Sequence, residues 1–245
     1  MSKLFDLTGK KAIITGSSKG IGKSIAKAMA LHGAEVVVSS RKADVCQETA
    51  DEINEACKDG PGKAIVIPCN ISDKAALEML IEETRIQLGQ IDILVCNAGT
   101  LNSYGGLQDP AHNTAAIENV LMTNIAGVFL TARSFLPHLL DGTPGKIAVI
   151  SSIMGSQELA SSNAPIYRAS KAAATNLARS MAVELTPQAV AVGAFHPGWV
   201  RTDMGGPQAS VSPSDSAAGL LQRFDALTLD KTGIFEDFQG NSLPF

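Results

Sequence analysis

The run Tyr167-Arg168-Ala169-Ser170-Lys171 contains the residue types best suited to acid–base chemistry. On a helix, the phenol and the ammonium lie one turn apart on the same face. A tyrosine with an unperturbed pKa of about 10 is nearly inert at neutral pH, whereas a fixed cation nearby favours the phenolate. The spacing therefore indicates a tyrosine that exchanges a proton with a ligand. The same spacing also occurs on helix surfaces as a simple packing pair, so further elements must decide.

A glycine-rich turn lies far upstream, between a predicted strand and a predicted helix. In Thr15-Gly16-Ser17-Ser18-Lys19-Gly20-Ile21-Gly22, glycine permits a sharp turn and a close approach of backbone N–H groups to a pyrophosphate. The pattern predicts a dinucleotide-binding turn, although its spacing differs from the ordinary GxGxxG fingerprint. A Walker-type ATP loop is disfavoured because Gly22-Lys23-Ser24 lacks the preceding GxxxxG register.

The composition favours a small-molecule partner. The 245 residues include 45% hydrophobic but only 4% aromatic residues, as expected for aliphatic strands buried between helices. A net charge of −4 without a basic block argues against nucleic acid or anionic lipid. No continuous apolar run predicts a membrane helix, and residues 1–7 do not resemble a signal peptide. Cys46, Cys57, Cys69 and Cys96 lack metal-ligand spacing, so no metal site is expected. Nothing marks a disulfide scaffold either, so we expect free thiols and a cytoplasmic location.

Short β-branched runs alternate with longer amphipathic patterns. The predicted strands are 11–15, 35–39, 64–68, 91–96, 146–151, 190–195 and 233–238. The predicted helices are 21–32, 44–58, 74–88, 114–140, 165–185 and 214–227. This alternation predicts an α/β fold with one Rossmann-type, doubly wound domain over residues 1–245, with about seven parallel strands and helices on both faces. In such sheets ligands bind beyond the carboxyl ends of the strands.

Six motifs follow one another along the chain: TGxxxGIG at 15–22, Asn97-Ala98-Gly99, Asn124, Ser152, YxxxK at Tyr167 and Lys171, and Pro197-Gly198. In these motifs the chain resembles the short-chain dehydrogenase/reductase family over essentially its full length. The resemblance implies a nicotinamide cofactor and reversible hydride transfer between that cofactor and an alcohol or carbonyl. The carboxyl-terminal half is similar to a branch with C-factor-like and sniffer-like reductases, while the amino-terminal half resembles ordinary bacterial-type members.

The resemblance implies a role for each of four residues. Tyr167 would be the general acid for carbonyl reduction or the base for alcohol oxidation, and Lys171 would lower its pKa and hold the nicotinamide ribose. Ser152 would donate a hydrogen bond to the substrate oxygen, and Asn124 would support a water between Lys171 and solvent. As alternatives, Ser152 is a strand-end cap and Asn124 a buried amide bonded only to backbone. Ser-x-x-Gly favours Ser152 over Ser151, although the loop before Tyr167 is slightly longer than the family's usual one.

The charges after the second predicted strand bear on the choice of cofactor. NAD-preferring members place an acidic residue where this chain has Ser40, followed by Arg41 and Lys42. Together with Lys19, these cations are expected to bind a 2′-phosphate and to favour NADP(H) over NAD(H), unless they are only solvated surface charges. Asn70 is expected to bond the adenine amino group. The other residues expected at the cofactor are Gly16, Ser18, Gly20, Ile21, Gly22, Ile71, Asn97, Ala98, Gly99, Pro197, Gly198, Val200 and Thr202.

These readings predict an NADPH-preferring carbonyl reductase or alcohol dehydrogenase acting on a small molecule. By analogy, a homodimer or homotetramer is expected through the helices at 114–140 and 165–185. One rival is a dinucleotide-binding regulatory protein with little catalysis, and another is a nucleotide-sugar epimerase or dehydratase. The latter usually has a longer carboxyl-terminal domain, whereas this chain ends soon after its last predicted strand. His196 is expected to be a satisfied structural histidine, and Trp199 and Met204 to line the substrate pocket or to pack a lid.

Overall fold

The computed structural model describes residues 6–141 and 144–245 and contains one parallel sheet of seven strands. The strand order is β3-β2-β1-β4-β5-β6-β7, so the direction of winding reverses between β1 and β4. The predicted doubly wound, Rossmann-type α/β architecture is therefore confirmed. The strands are β1 (Lys11–Thr15), β2 (Glu35–Ser39), β3 (Lys63–Val66), β4 (Ile93–Cys96), β5 (Lys146–Ile150), β6 (Ala191–His196) and β7 (Phe235–Asp237).

Helices cover both faces of this sheet, and their ends lie within a residue or two of the predicted ones. The predicted helix at 114–140 is the exception, because a π-helical turn at Met122–Ala126 divides it. The extra residue of a π turn widens the helix and changes which side chains face inward. The helices are α1 (Gly20–Leu31), α2 (Ala43–Ala56), α3 (Lys74–Leu88), α4 (Thr114–Leu121), α5 (Gly127–Leu140), α6 (Pro165–Leu185) and α7 (Pro213–Ala226).

Two apolar cores lie on opposite faces of the sheet. Alternate strand residues point to opposite sides, so Ile13 and Val37 pack into one core and Ile14 and Val38 into the other. The first core receives side chains from α3, α5 and α6, and the second receives them from α1, α2 and α7. Because both faces are buried, the strands are almost continuously apolar. This packing fixes the edge at which the carboxyl ends of the strands meet.

The segment 114–140 is long and apolar enough to cross a membrane, a criterion of length and composition that core helices also meet. In this structure Val128, Phe135 and Leu139 of that segment pack into the first core. The large apolar side chains that it leaves exposed are Leu121, Met122, Phe129 and Leu140. Residues 1–5, which contributed to the reading that no signal peptide is present, lie outside the described residues.

Phe135 tests the importance of the first core, since its side chain is fully buried. We expect Phe135→Ala to lower the free energy of unfolding by about 3–5 kcal/mol, because it removes apolar contacts and leaves a cavity. Urea unfolding followed by circular dichroism measures the change. Met79→Ala is the matched control, since Met79 lies 66% exposed on α3, and it should change stability by less than about 0.5 kcal/mol. Equal effects of the two substitutions would contradict this packing.

Candidate active site

Parallel strands bring four side chains to one edge of the sheet. Ser152 follows the carboxyl end of β5, and Tyr167 and Lys171 lie in the first two turns of α6. Asn124 lies in the π turn between α4 and α5. All four side chains are buried, with exposed fractions of 8% or less. The structure therefore brings together the four residues that the sequence analysis proposed as catalytic.

Tyr167 is a buried phenol next to the Ser152 hydroxyl. Burial raises its pKa to about 12, although a hydrogen bond with Ser152 acts in the opposite direction and the nearby Tyr104 adds to the rise. Burial is the largest cause of this shift and Lys171 is not among its causes, so the net change is opposite to the lowering expected from sequence. The phenol keeps its proton at neutral pH, and it is a proton donor in its resting form.

Lys171 is a fully buried ammonium held by backbone. Its Nζ donates a hydrogen bond of 2.9 Å to the carbonyl of Ile150 at the end of β5 and lies 5.7 Å from the centre of the Tyr167 ring. Burial lowers the pKa of Lys171 to about 8. A Cβ on Gly99 would lie 3.3 Å from this Nζ, so glycine leaves the space beside the ammonium free. Gly99 and Lys171 thus form one wall of the site.

The amide of Asn124 is fully engaged as a donor within the protein. Its Nδ2 donates to the Thr100 carbonyl and to the Ser170 hydroxyl, both at 2.9 Å, and its Oδ1 accepts from the Thr100 N–H at 2.8 Å. Ser170 in turn donates to the Tyr167 carbonyl at 2.7 Å. Asn124 therefore links the loop after β4 to the first turns of α6. The alternative that Asn124 bonds only to backbone is wrong, because it also donates to the side-chain hydroxyl of Ser170.

The two serines after β5 have different surroundings. Ser151 donates to the Lys171 carbonyl at 3.0 Å and lies 2.6 Å from the Thr175 hydroxyl, so it fastens β5 to α6. The Ser152 oxygen accepts from the Met154 N–H at 3.1 Å, and the Ser152 hydroxyl is close enough to Tyr167 to lower its pKa. Ser152 is thus both the strand-end cap and the hydroxyl beside the phenol. This placement agrees with the choice of Ser152 over Ser151.

The glycine-rich turn packs directly against the residues that follow β4. Gly16 has φ +67°, and a Cβ there would lie 2.9 Å from Cα of Ala98. A Cβ on Gly22 would lie 2.4 Å from Nδ2 of Asn97, which donates to the Thr15 carbonyl at 2.9 Å. Side chains at either glycine would collide with neighbouring atoms. The two loops consequently form a narrow cradle at the amino terminus of α1, where N–H groups attract an anion.

Ser40, Arg41 and Lys42 follow β2 next to this cradle. Ser40 donates to the Ser18 hydroxyl at 2.7 Å, and no carboxylate stands at the position where NAD-preferring relatives were expected to have one. Arg41 and Lys42 are exposed and form no ion pair with any residue in the described ranges. Lys19, expected to be a further free cation, instead lies 2.5 Å from a carboxylate oxygen of Asp203. That contact is exposed and is therefore weak.

The remaining expected cofactor residues lie at the ends of β3 and β6. Asn70 is exposed, and its Oδ1 accepts from the Ser72 N–H at 3.2 Å, while Ile71 packs beside Gly127 of α5. Gly198 turns the chain after β6 with φ +86°. Thr202 accepts from the Gly205 N–H at 3.1 Å. The Cγ2 of Thr202 would lie 3.3 Å from a Cβ on Gly20, so this loop reaches the glycine-rich turn.

His196 ends β6, and Val200 lies in the loop that follows it. Val200 is buried and forms a β-bridge with Val211, so its side chain supports the loop. Burial lowers the pKa of His196 to about 4, which keeps the imidazole neutral. Its Nδ1 is buried and has no hydrogen-bond partner among the described residues. The expectation of a fully satisfied histidine is therefore wrong at that atom.

Sequence reasoning missed Arg168 and Tyr104. The Arg168 guanidinium donates to the carbonyls of Met154, Leu159 and Asn163 at 3.0–3.2 Å, and so it shapes the extended loop before α6. The Tyr104 hydroxyl donates to the Met204 carbonyl at 3.1 Å, which joins the loops after β4 and β6. The available signals were the position of Arg168 inside YxxxK and the scarcity of tyrosine in this chain.

Comparison with known proteins agrees with this geometry. A family model described as short chain dehydrogenase matches residues 10–211. The chain belongs to the short-chain dehydrogenase/reductase family. It is an oxidoreductase of that family, since its relatives are named oxidoreductases and reductases. The alternative of a non-catalytic binding protein is correspondingly disfavoured.

Three members of the family illustrate the similarity. Oxidoreductase UcpA of Salmonella typhimurium is 33% identical over 225 residues, which cover 91% of this chain and 82% of the relative. The 3-oxoacyl-[acyl-carrier-protein] reductase FabG of Escherichia coli is 29% identical, with 89% and 83% covered. A short chain dehydrogenase from Burkholderia cenocepacia in complex with NADP is 27% identical, with a TM-score of 0.82 and 97% and 99% covered.

The low pKa of Lys171 makes a prediction about stability. Between pH 8 and the ordinary value of 10.5, the unfolded chain holds a proton that the folded chain has released. The contribution of Lys171 to stability therefore rises with pH across this window, by up to about 1.4 kcal/mol per pH unit, and is lowest and constant below it.

Urea unfolding of the wild type and of Lys171→Met across this window measures that contribution. The difference in unfolding free energy should move in favour of the wild type as pH rises. Cys69 and Cys96, whose pKa values burial raises to about 11 and 12, titrate in both proteins and cancel. A difference that does not change with pH would show that Lys171 has an ordinary pKa in the folded protein.

Proposed function

We propose that this protein is an NADPH-preferring reductase of ketones or aldehydes that also runs the reverse alcohol oxidation. The observation that carries the proposal is the buried Tyr167 phenol at the carboxyl edge of the sheet, with Ser152 close enough to lower its pKa and Lys171 beside its ring. A protein that only bound a dinucleotide would have no need for a protonated phenol beside a hydroxyl. The arrangement suits the transfer of one proton to a developing alkoxide.

The roles of the residues follow from their positions. A bound nicotinamide cofactor supplies the hydride. Tyr167 donates its proton to the substrate oxygen, and its raised pKa of about 12 keeps that proton in place until negative charge develops there. Ser152 donates a hydrogen bond to the same oxygen. Lys171, whose pKa is about 8, is mostly protonated at neutral pH and stabilises the phenolate that Tyr167 becomes.

The residues present fit an NADP-type cofactor. The cradle beside Gly16 and Gly22 admits backbone and excludes side chains, as a pyrophosphate site requires. Arg41 and Lys42 are exposed cations next to Ser40, and they suit a 2′-phosphate. Lys19 joins them in this proposal by exchanging Asp203 for the phosphate. NADPH preference favours reduction as the working direction.

We further propose a homodimer or homotetramer in the cytoplasm. Leu121, Met122 and Phe129 are exposed on the segment that contains α4 and α5, and Val183 is 80% exposed on α6. Large apolar side chains on two adjacent helices favour burial against another copy. All four cysteines are free and buried, as expected in a reducing compartment.

Replacing the phenol tests the proposed chemistry. We expect Tyr167→Phe to lower kcat roughly 100- to 10,000-fold, because the ring stays but the transferable proton is lost. NADPH oxidation over a panel of ketones, aldehydes and keto esters measures the rate, with NADH run beside it. The dissociation constant for NADPH should change by less than about twofold. Undiminished turnover in this variant would remove Tyr167 from the mechanism.

Arg41→Ala tests the choice of cofactor. We expect it to weaken NADPH binding about tenfold or more and NADH binding less than about twofold, because only NADPH presents a 2′-phosphate to the guanidinium. Isothermal titration calorimetry with both cofactors measures the two constants. Lys58→Ala is the matched control, since it also removes one exposed positive charge. Lys58 follows the far end of α2 and forms an ion pair with Glu55. Equal weakening of both cofactors by Arg41→Ala would argue against the phosphate contact.

A further inference from the structure

The chain places all of its tryptophan and tyrosine residues around one site. It contains one tryptophan and two tyrosines, in a sequence with only 4% aromatic residues. Besides Tyr167, these are Tyr104 in the loop after β4 and Trp199 in the loop after β6. Tyr104 is 49% exposed and Trp199 is 53% exposed. Such large exposed rings indicate a surface that binds something.

The polar atoms of both rings are already engaged by neighbouring carbonyls. The Tyr104 hydroxyl donates to the Met204 carbonyl at 3.1 Å, and the Trp199 Nε1 donates to the Gly205 carbonyl at 2.9 Å. Both bonds end on one dipeptide, which fixes the two rings to the same short segment. The surface that the rings leave exposed is therefore mainly apolar. We refer to Tyr104, Trp199 and Met204 as the aromatic roof.

The aromatic roof lies over the end of β5. In the sheet β5 stands between β4 and β6, so a bond from Tyr104 to Met204 spans the strand end that leads to Ser152. The Tyr104 carbonyl also accepts from the N–H of Ala164, three residues before Tyr167. The Tyr104 phenol is close enough to contribute to the raised pKa of Tyr167. These contacts place Tyr104 beside the start of the helix that carries Tyr167.

Charges around this position disfavour an anion. The three loops 97–113, 151–164 and 197–212 contain the acids Asp109, Glu158 and Asp203, but Arg201 is their one lysine or arginine. The Arg201 guanidinium donates to the carbonyls of Ala209 and Ser210 at 3.0 and 3.2 Å. On α6, Arg168 is likewise committed to loop carbonyls.

The space next to these loops has the same character. A cavity of about 670 Å³ opens between residues 106–109 and 161–165, beside the start of α6. Among its described lining residues Asp109 is the one charged group. A carboxylate or phosphate in this cavity would therefore meet the Asp109 carboxylate and no lysine or arginine among the lining residues, while an uncharged group would lose nothing.

We propose that the aromatic roof selects an uncharged carbonyl compound with an aryl substituent, and that this protein discriminates against keto acids. The proposal rests on the proposed reductase function and specifies its substrate class. Tyr104 and Trp199 bind the aryl ring, while the carbonyl oxygen points to Tyr167 and Ser152. The tie between Tyr104 and Met204 holds the roof at a fixed height above the site.

Two matched pairs of compounds separate the effect of substrate charge from the effect of an aryl ring. Methyl benzoylformate and benzoylformate differ in the charge of one group, and methyl pyruvate and pyruvate repeat that difference without the ring. With NADPH, and NADH alongside, we expect kcat/KM for methyl benzoylformate to exceed that for benzoylformate roughly tenfold or more. The kcat/KM for methyl benzoylformate should also exceed the kcat/KM for methyl pyruvate by about tenfold. Equal or better turnover of the carboxylates would overturn the proposal.

Trp199 supplies a second readout that needs no turnover, because it is the sole tryptophan of the chain. In the presence of saturating NADP⁺, methyl benzoylformate should quench its fluorescence at lower concentrations than benzoylformate does. Selective quenching without turnover of any compound would support the binding class and contradict the reductase function. Turnover with no quenching by the neutral aryl ester would leave the reductase function standing and overturn the aromatic roof.

Variants assign the effect to the two rings. Trp199→Leu and Tyr104→Leu should each lower kcat/KM for methyl benzoylformate about tenfold and that for methyl pyruvate by less than about twofold. Tyr104→Phe keeps the ring but removes the tie to Met204, and it should lower the preference for the aryl ester by a smaller factor. Met79→Ala on α3 is the control and should leave all four rates unchanged. Parallel losses on both esters would show that the rings are only structural.

Discussion

A buried ammonium is the constraint around which this site is built. Charged groups are rarely buried without close partners, and Lys171 keeps its place through the carbonyl of Ile150 and the space that Gly99 leaves open. Those two contacts require the ends of β4 and β5 to lie at fixed distances from the start of α6. Asn124 and Ser170 then hold the loop after β4 against the same helix. The parallel sheet supplies the one edge at which these requirements are met together.

The same burial gives the phenol and the ammonium opposite tendencies. Removing water raises the pKa of Tyr167 to about 12 and lowers that of Lys171 to about 8, so two groups with similar ordinary pKa values are moved apart. A phenol that holds its proton firmly and an ammonium that gives one up more readily form a donor with its own resupply. Low polarity favours the neutral form of each group, and desolvation is the cause of the lowered pKa of Lys171. These two opposite pKa shifts explain how a largely apolar pocket can support proton transfer.

The sheet, its helices and the meeting of Ser152, Tyr167 and Lys171 could be predicted, because strand periodicity and the order of motifs are local signals. Three features could not. The π turn at Asn124 has no distinct periodicity, and the pKa of Tyr167 depends on burial that only the assembled fold creates. The contact between Lys19 and Asp203 joins loops far apart in sequence. Each of these depends on tertiary distance, which the spacing of residues along a chain does not report.

Ala164 shows how the roof and the catalytic helix are mechanically joined. Its φ of 47° lies in the left-handed region that costs a residue with a Cβ roughly 1–2 kcal/mol. Its N–H is held by the carbonyls of Tyr104 and Gly105, and the first turn of α6 starts at the next residue. The position of the outer loop and the start of the helix that carries Tyr167 are therefore fixed by one strained residue.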